Sequence, residues 1–127
     1  MPSLPAATVY AFGFTSFLFG ITTLLNPSHG LEALSLHPGA RPAVISSSLA
    51  AVAMGIYYAL AAYQENRAFF WLTVPMRSLT ATVFLGMGGG WMAPGVWEGA
   101  GAMLTLGALL WEGREKARRA GMKERGG

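Results

Sequence analysis

Residues 68–87 read AFFWLTVPMRSLTATVFLGM and residues 93–111 read APGVWEGAGAMLTLGALLW. Whether these two stretches cross a membrane decides between a four-helix bundle and a smaller assembly. An α-helix rises about 1.5 Å per residue, so about 20 residues match a hydrocarbon layer about 30 Å thick. Both stretches have that length, and each carries one ionisable side chain, Arg77 in the first and Glu98 in the second. Between them, Gly88–Gly90 and the run Met92-Ala93-Pro94-Gly95 punctuate the chain as a short connection.

Working back toward the N-terminus, the apolar character becomes cleaner. No Asp, Glu, Lys or Arg occurs from Met1 through Leu31, and residues 7–25 are nearly all apolar, small or hydroxylic. A second uncharged run covers residues 42–64. Charged residues make up 12% of the 127-residue chain, against about 25% in ordinary soluble domains. The mean hydropathy is only +0.41 because seventeen glycines and a charged C-terminal segment dilute it. The expected fold is therefore all-α: a four-transmembrane-helix, up-down-up-down bundle with spans at about 7–25, 42–64, 68–87 and 93–111, followed by a basic tail at 113–127.

Charge placement predicts the orientation. Of the nine Lys and Arg residues, seven (Arg67, Arg114, Lys116, Arg118, Arg119, Lys123, Arg125) fall on the side that would hold both termini, and only Arg41 falls on the other. Such an excess marks the cytoplasmic side. The same residues give the chain its net charge of +3. They read first as a topology determinant and second as an attraction to anionic lipid. Nucleic acid is excluded as a partner, because the tail EGREKARRAGMKERGG interleaves acids and offers no aromatic side chain for bases to stack on. The first segment lacks the basic n-region of a secretory signal and is expected to remain as a helix.

Some chemistries are absent by composition. Without cysteine there are no disulfides, thiolate metal sites or cysteine nucleophiles. His29 and His37 have only Glu32 nearby as a third ligand, so no metal site is expected, and no motif calls for a cofactor. The loop from Asn26 to Pro42 is long for so small a bundle. Asn26-Pro27-Ser28 can end the first helix and cap a short interfacial one, whose Leu31, Leu34 and Leu36 would lie along the first external boundary.

Arg77 and Glu98 are the functional candidates, since an ionisable group at membrane depth is costly and marks a site. From the helical rise, Arg77 would lie about 15 Å and Glu98 about 5 Å below the outer boundary. A long arginine and a glutamate turned toward each other could nearly close that gap. Pro75 removes an N–H from the third span and favours a kink. The kink would open a wedge-shaped cavity lined by Trp71, Thr80 and Phe84 with Tyr57 and Tyr58 of the second span. Small faces at Gly13 and Gly20, at Ser46–Ser48 with Gly55, and at Gly95 and Gly99 read as sites of close helix packing within the chain, with self-association as the second reading.

The stretches GFTSFLFGITTLLNP, GIYYALAAYQENR, VPMRSLTATVF and WEGAGAMLTLGALLW together resemble small four-helix membrane proteins of the DoxX-like superfamily, especially the small integral membrane proteins common in fungi. The resemblance covers residues 6–112. It implies a four-helix membrane bundle and does not imply an established reaction. Two functions follow as expectations. One is an integral membrane protein that binds a lipophilic molecule or a partner helix within its bundle, with Arg77 and Glu98 mainly structural. The alternative is a membrane-bound isomerase or cyclase of a lipophilic metabolite, with Glu98 as acid or base, Arg77 as its electrostatic partner, and Tyr57, Tyr58 and Trp71 as π-walls. The expected partners are the lipid bilayer, a lipophilic small molecule, and a second copy or another membrane helix.

Overall fold

A computed structural model describes residues 1–126. The described residues are all-helical: α1 (Leu4–Leu25), α2 (Pro27–Ala33), α3 (Arg41–Tyr63), α4 (Arg67–Met87) and α5 (Met92–Gly126), with 3-10 turns at Pro38–Ala40 and Gly89–Trp91. Each boundary has a local cause. The Ser3 side chain accepts from the Ala6 N–H and Pro5 sits in the first turn of α1, where its missing N–H costs nothing. Asn26 ends α1 and its side chain accepts from the His29 N–H to start α2. Asn66 does the same for α4 through the Phe69 N–H. α4 continues as one helix through Pro75. α5 does not end with its apolar part but runs on through the basic segment to Gly126.

Among the described residues, three helical stretches are long and apolar enough to cross a membrane: Leu4–Leu25, Pro38–Tyr63 and Arg67–Met87. α5 is not among them. Its N-terminal half is thinned by Gly95, Gly99, Gly101 and Gly107 and interrupted by Glu98, so composition alone yields three such helices where four spans were expected.

The long helices associate as two antiparallel pairs. α1 packs along α3, α4 packs along α5, and α1 also lies against α5. The first pair is close because glycine faces glycine: a Cβ at Gly13 would come within 2.9 Å of the Gly55 carbonyl, and one at Gly55 within 2.6 Å of the Gly13 carbonyl. Ser16 adds a hydrogen bond from its hydroxyl to the Ala51 carbonyl at 2.9 Å. These small residues are used in contacts inside the chain.

Many large apolar side chains face outward while several polar ones are enclosed. Ser16, Ser48, Thr73, Arg77, Glu98 and Thr105 are buried, while Phe14, Phe19, Ile56, Leu72, Leu79, Val83 and Leu104 are exposed. The innermost apolar cluster is small, gathering Ala6, Val9, Ala62, Phe70, Val74 and Leu109.

The two ends of the molecule are closed differently. At the end carrying the start of α1, Glu65 of the α3–α4 turn accepts from the Ser3 N–H at 2.8 Å and from the Ser3 hydroxyl at 2.6 Å. Glu112 of α5 accepts from Arg67 and pairs with Lys116 at 3.1 Å. At the other end α2 packs on α1 and α3 with Leu31 buried, and the Ala33 carbonyl abuts Gly90 of the α4–α5 connection. The short helix thus spans from the first pair to the second.

Candidate functional site

Arg77 projects from the middle of α4 into a space bordered by all four long helices, and it is 2% exposed. Its Nη2 donates to the Thr105 hydroxyl of α5 at 2.6 Å. Thr105 lies 3.0 Å from the Thr8 hydroxyl of α1, and Thr8 itself donates to the Pro5 carbonyl at 2.7 Å. Arg77, Thr105, Thr8 and Pro5 thus form a connected run of hydrogen bonds; with Thr8 donating to Pro5, Thr105 donates to Thr8.

Aromatic faces complete the surroundings. The guanidinium carbon stands 4.2 Å from the centre of the Phe12 ring and 5.9 Å from that of Tyr58, placing the cation against two π-faces in a water-poor interior where such contacts are strongest. Phe12 stacks on Trp97 at 4.2 Å, and the Trp97 ring N–H donates to Thr15 at 3.2 Å. The Tyr58 hydroxyl meets Thr73 at 2.9 Å. Gly101 makes room for the guanidinium: a Cβ there would stand 2.7 Å from Nη1 of Arg77 and 2.8 Å from Cδ2 of Phe12.

One part of this node is unsatisfied. Nε and Nη1 of Arg77 are buried without an acceptor among the described residues. Glu98, 6% exposed, sits on α5 one turn beyond Gly101 toward the α2 end, whereas the guanidinium turns the other way, to Thr105. The ion pairs within 4.0 Å among the described residues are Arg67–Glu112, Lys116–Glu112 and Arg118–Glu115. Arg77 and Glu98 are thus both buried in the same region without forming the direct bridge that their near approach suggested.

The residues expected to line a wedge beside Pro75 do not converge. Only Tyr58 reaches the interior and the cation. Tyr57 and Trp71 are exposed on the outer faces of their helices, because each lies beyond the arc of its helix that meets a neighbour. Thr80 returns its hydroxyl to the Met76 carbonyl at 3.1 Å, and Phe84 packs against Trp91 at 5.0 Å near the α4–α5 connection. His29, Glu32 and His37 are exposed, and no group of three metal-ligating side chains occurs among the described residues.

Sequence reasoning missed Thr8, Phe12, Trp97 and Thr105, all of which touch or support Arg77. Gly101 and Thr105 share its α5 face at four-residue spacing with Trp97, a helical stripe that signals a common neighbour. It also missed Glu65 and Glu112. Beside Ser3, whose hydroxyl and N–H both donate to it, the Glu65 carboxyl is held below its ordinary value of 4.5. The Arg67 hydrogen bond does the same for Glu112.

No protein-family model, no curated protein and no solved structure matches this chain.

Proposed function

We propose that the chain is a small integral membrane protein of the DoxX-like kind. In this reading α1, α3, α4 and the first half of α5 cross the bilayer up-down-up-down with both termini cytoplasmic, and the bundle holds the polar head of a lipophilic molecule at Arg77. The observation that carries this reading is the pair of buried, unpartnered donors on Arg77. A buried donor left without an acceptor costs about 1–3 kcal/mol and more when charged, so an oxygen-bearing head that accepts from Nε and Nη1 completes the node.

The bilayer part is supported by side-chain distribution. Large apolar side chains such as Phe14, Phe19, Ile56, Leu72, Leu79, Val83 and Leu104 stand exposed on the long helices while Ser16, Ser48, Thr73, Arg77, Glu98 and Thr105 are buried, an arrangement water would penalise and lipid favours. α5 is read as a crossing in context, since Glu98 is buried and three of the glycines near it face protein: Gly95 lies against Leu85, Gly99 against Ala81 and Gly101 against Arg77. A helix whose polar side is covered by neighbours needs less apolar composition than an isolated one.

The main role of Arg77 at rest is structural, joining α4 to α5 and, through Thr105, to α1. A second reading is favoured by one observation: Glu98 is buried without an ion-pair partner, which leaves its carboxyl available as acid or base in an isomerase or cyclase acting on the same lipophile.

The test is mass spectrometry of lipophiles that co-purify with the detergent-extracted protein, compared among wild type, Arg77→Lys, Arg77→Gln and Glu98→Gln at matched abundance. Arg77→Gln is expected to lower retention of a co-purifying lipophile at least tenfold while the protein still inserts, with Arg77→Lys intermediate, because a charged hydrogen bond is worth about 1.5–3 kcal/mol. Equal retention in all four proteins, or collapse of both Arg77 variants, would assign Arg77 to packing alone. Turnover of the retained lipophile that disappears in Glu98→Gln would favour the enzymatic reading.

A further inference from the structure

Because α5 is one helix to Gly126, the side chains after Trp111 stand on a fixed face and not on a loose tail. Where that face passes the start of α1 it forms an open groove of about 370 Å³, lined by Ser3, Leu4, Trp111, Glu112, Glu115, Lys116 and Arg119. The groove is graded along its length. Its floor is apolar, with Leu4 53% and Trp111 60% exposed, and Lys116 and Arg119 stand one and two turns further along α5.

The charges in the groove are unequally committed. Glu112 is occupied by Arg67 and Lys116, and Glu115 lies 4.0 Å from Arg118. Arg119 meets no carboxylate within 4.0 Å among the described residues. An exposed tryptophan and leucine below, with a lysine and an uncommitted arginine above, match a molecule that is apolar at one end and carries a phosphate at the other. Tryptophan at the bilayer boundary and basic residues just outside it are the usual partners of a lipid headgroup region.

We infer that this groove is a binding site for a single anionic phospholipid of the cytoplasmic leaflet, its phosphate between Lys116 and Arg119 and its acyl chains running past Trp111 and Leu4. The inference rests on the membrane reading and on the cytoplasmic placement of the termini, but it is independent of any ligand at Arg77. Arginine suits the role because its planar fork donates two parallel hydrogen bonds to phosphate oxygens.

The experiment is native mass spectrometry of the full chain released from nanodiscs containing phosphatidylglycerol and phosphatidylcholine. The wild type is expected to retain one phosphatidylglycerol in preference to phosphatidylcholine. Lys116→Gln and Arg119→Gln should each weaken that retention about fivefold, the fold-change equal to about 1 kcal/mol per basic residue. Lys123→Gln and Arg125→Gln, which each remove the same charge further along the helix, should leave it unchanged. Equal weakening by both pairs, or no preference for phosphatidylglycerol, would overturn the site, the former in favour of diffuse attraction by the whole basic segment. Failure of the chain to enter nanodiscs at all would instead overturn the membrane reading.

Discussion

At the scale of single residues, the structure turns on how one cation is kept inside a largely apolar interior. Arg77 has one protein acceptor, Thr105, two aromatic faces and the space left by Gly101. Thr105→Val keeps the shape and deletes that acceptor, so it should destabilise the protein by about 1–3 kcal/mol, the cost of a buried donor left unmade. Thr8→Val removes only the relay beyond Thr105 and should cost about 0.6 kcal/mol, the average for a hydrogen bond between membrane helices. Reversible unfolding in mixed detergent micelles measures both, and an equal or inverted ranking would contradict Thr105 as the acceptor that holds Arg77. Arg77 was legible in the sequence because a charge inside an apolar run stands out by itself. Its partners were not, since a threonine, a phenylalanine and a glycine are ordinary in any such helix and acquire a role only when four helices bring them together. The Arg77–Glu98 bridge failed for a related reason: axial depth can be counted from the sequence, but which way a long side chain turns depends on the nearest acceptor and open space, here Thr105 and Gly101.

At the scale of elements, the carboxylate contacts gather at the end of the molecule that carries the start of α1. Glu65 has φ 52°, a left-handed conformation that costs a non-glycine residue about 1–2 kcal/mol, and its two hydrogen bonds to Ser3 offset that cost while tying α1 to the α3–α4 turn. Glu112 ties α4 to α5 in the same way. Both carboxyls are held below 4.5 when folded. A folded-state value below the unfolded one means that their stabilisation is fully present above about pH 4.5 and is lost as pH falls through the lower folded values. Thermal unfolding followed by circular dichroism should therefore show little change attributable to these groups from pH 7 to 5 and a fall below that. The Glu65→Gln, Glu112→Gln double variant should start lower and fall less. An equally steep acid dependence in the double variant would place the titration elsewhere. Helix positions were legible because α1, α3 and α4 lie between turn residues in runs of uniform polarity. The extension of α5 was not, because its basic residues read as a solvated tail, although Glu112–Lys116 and Glu115–Arg118 sit at spacings that support a helix.

At the scale of the molecule, the decisive quantity is the number of crossings. Length and composition identify three apolar helices; packing of the glycine and glutamate face of α5 against α4 and Arg77 argues for a fourth. Hydropathy read along a sequence cannot distinguish a polar residue facing lipid from one facing a neighbouring helix, and that distinction decides α5. The two counts predict different sidedness for the C-terminal segment, and because the chain contains no cysteine a single one can be introduced as a reporter. His37→Cys, Gln64→Cys and Met122→Cys, each in an exposed position, can be labelled with a membrane-impermeant maleimide in sealed vesicles of known orientation. Four crossings predict that Gln64→Cys and Met122→Cys label from the cytoplasmic side and His37→Cys from the opposite one. Labelling of Met122→Cys from the same side as His37→Cys would mean that α5 does not cross, and would contradict the bundle in which Arg77 is enclosed.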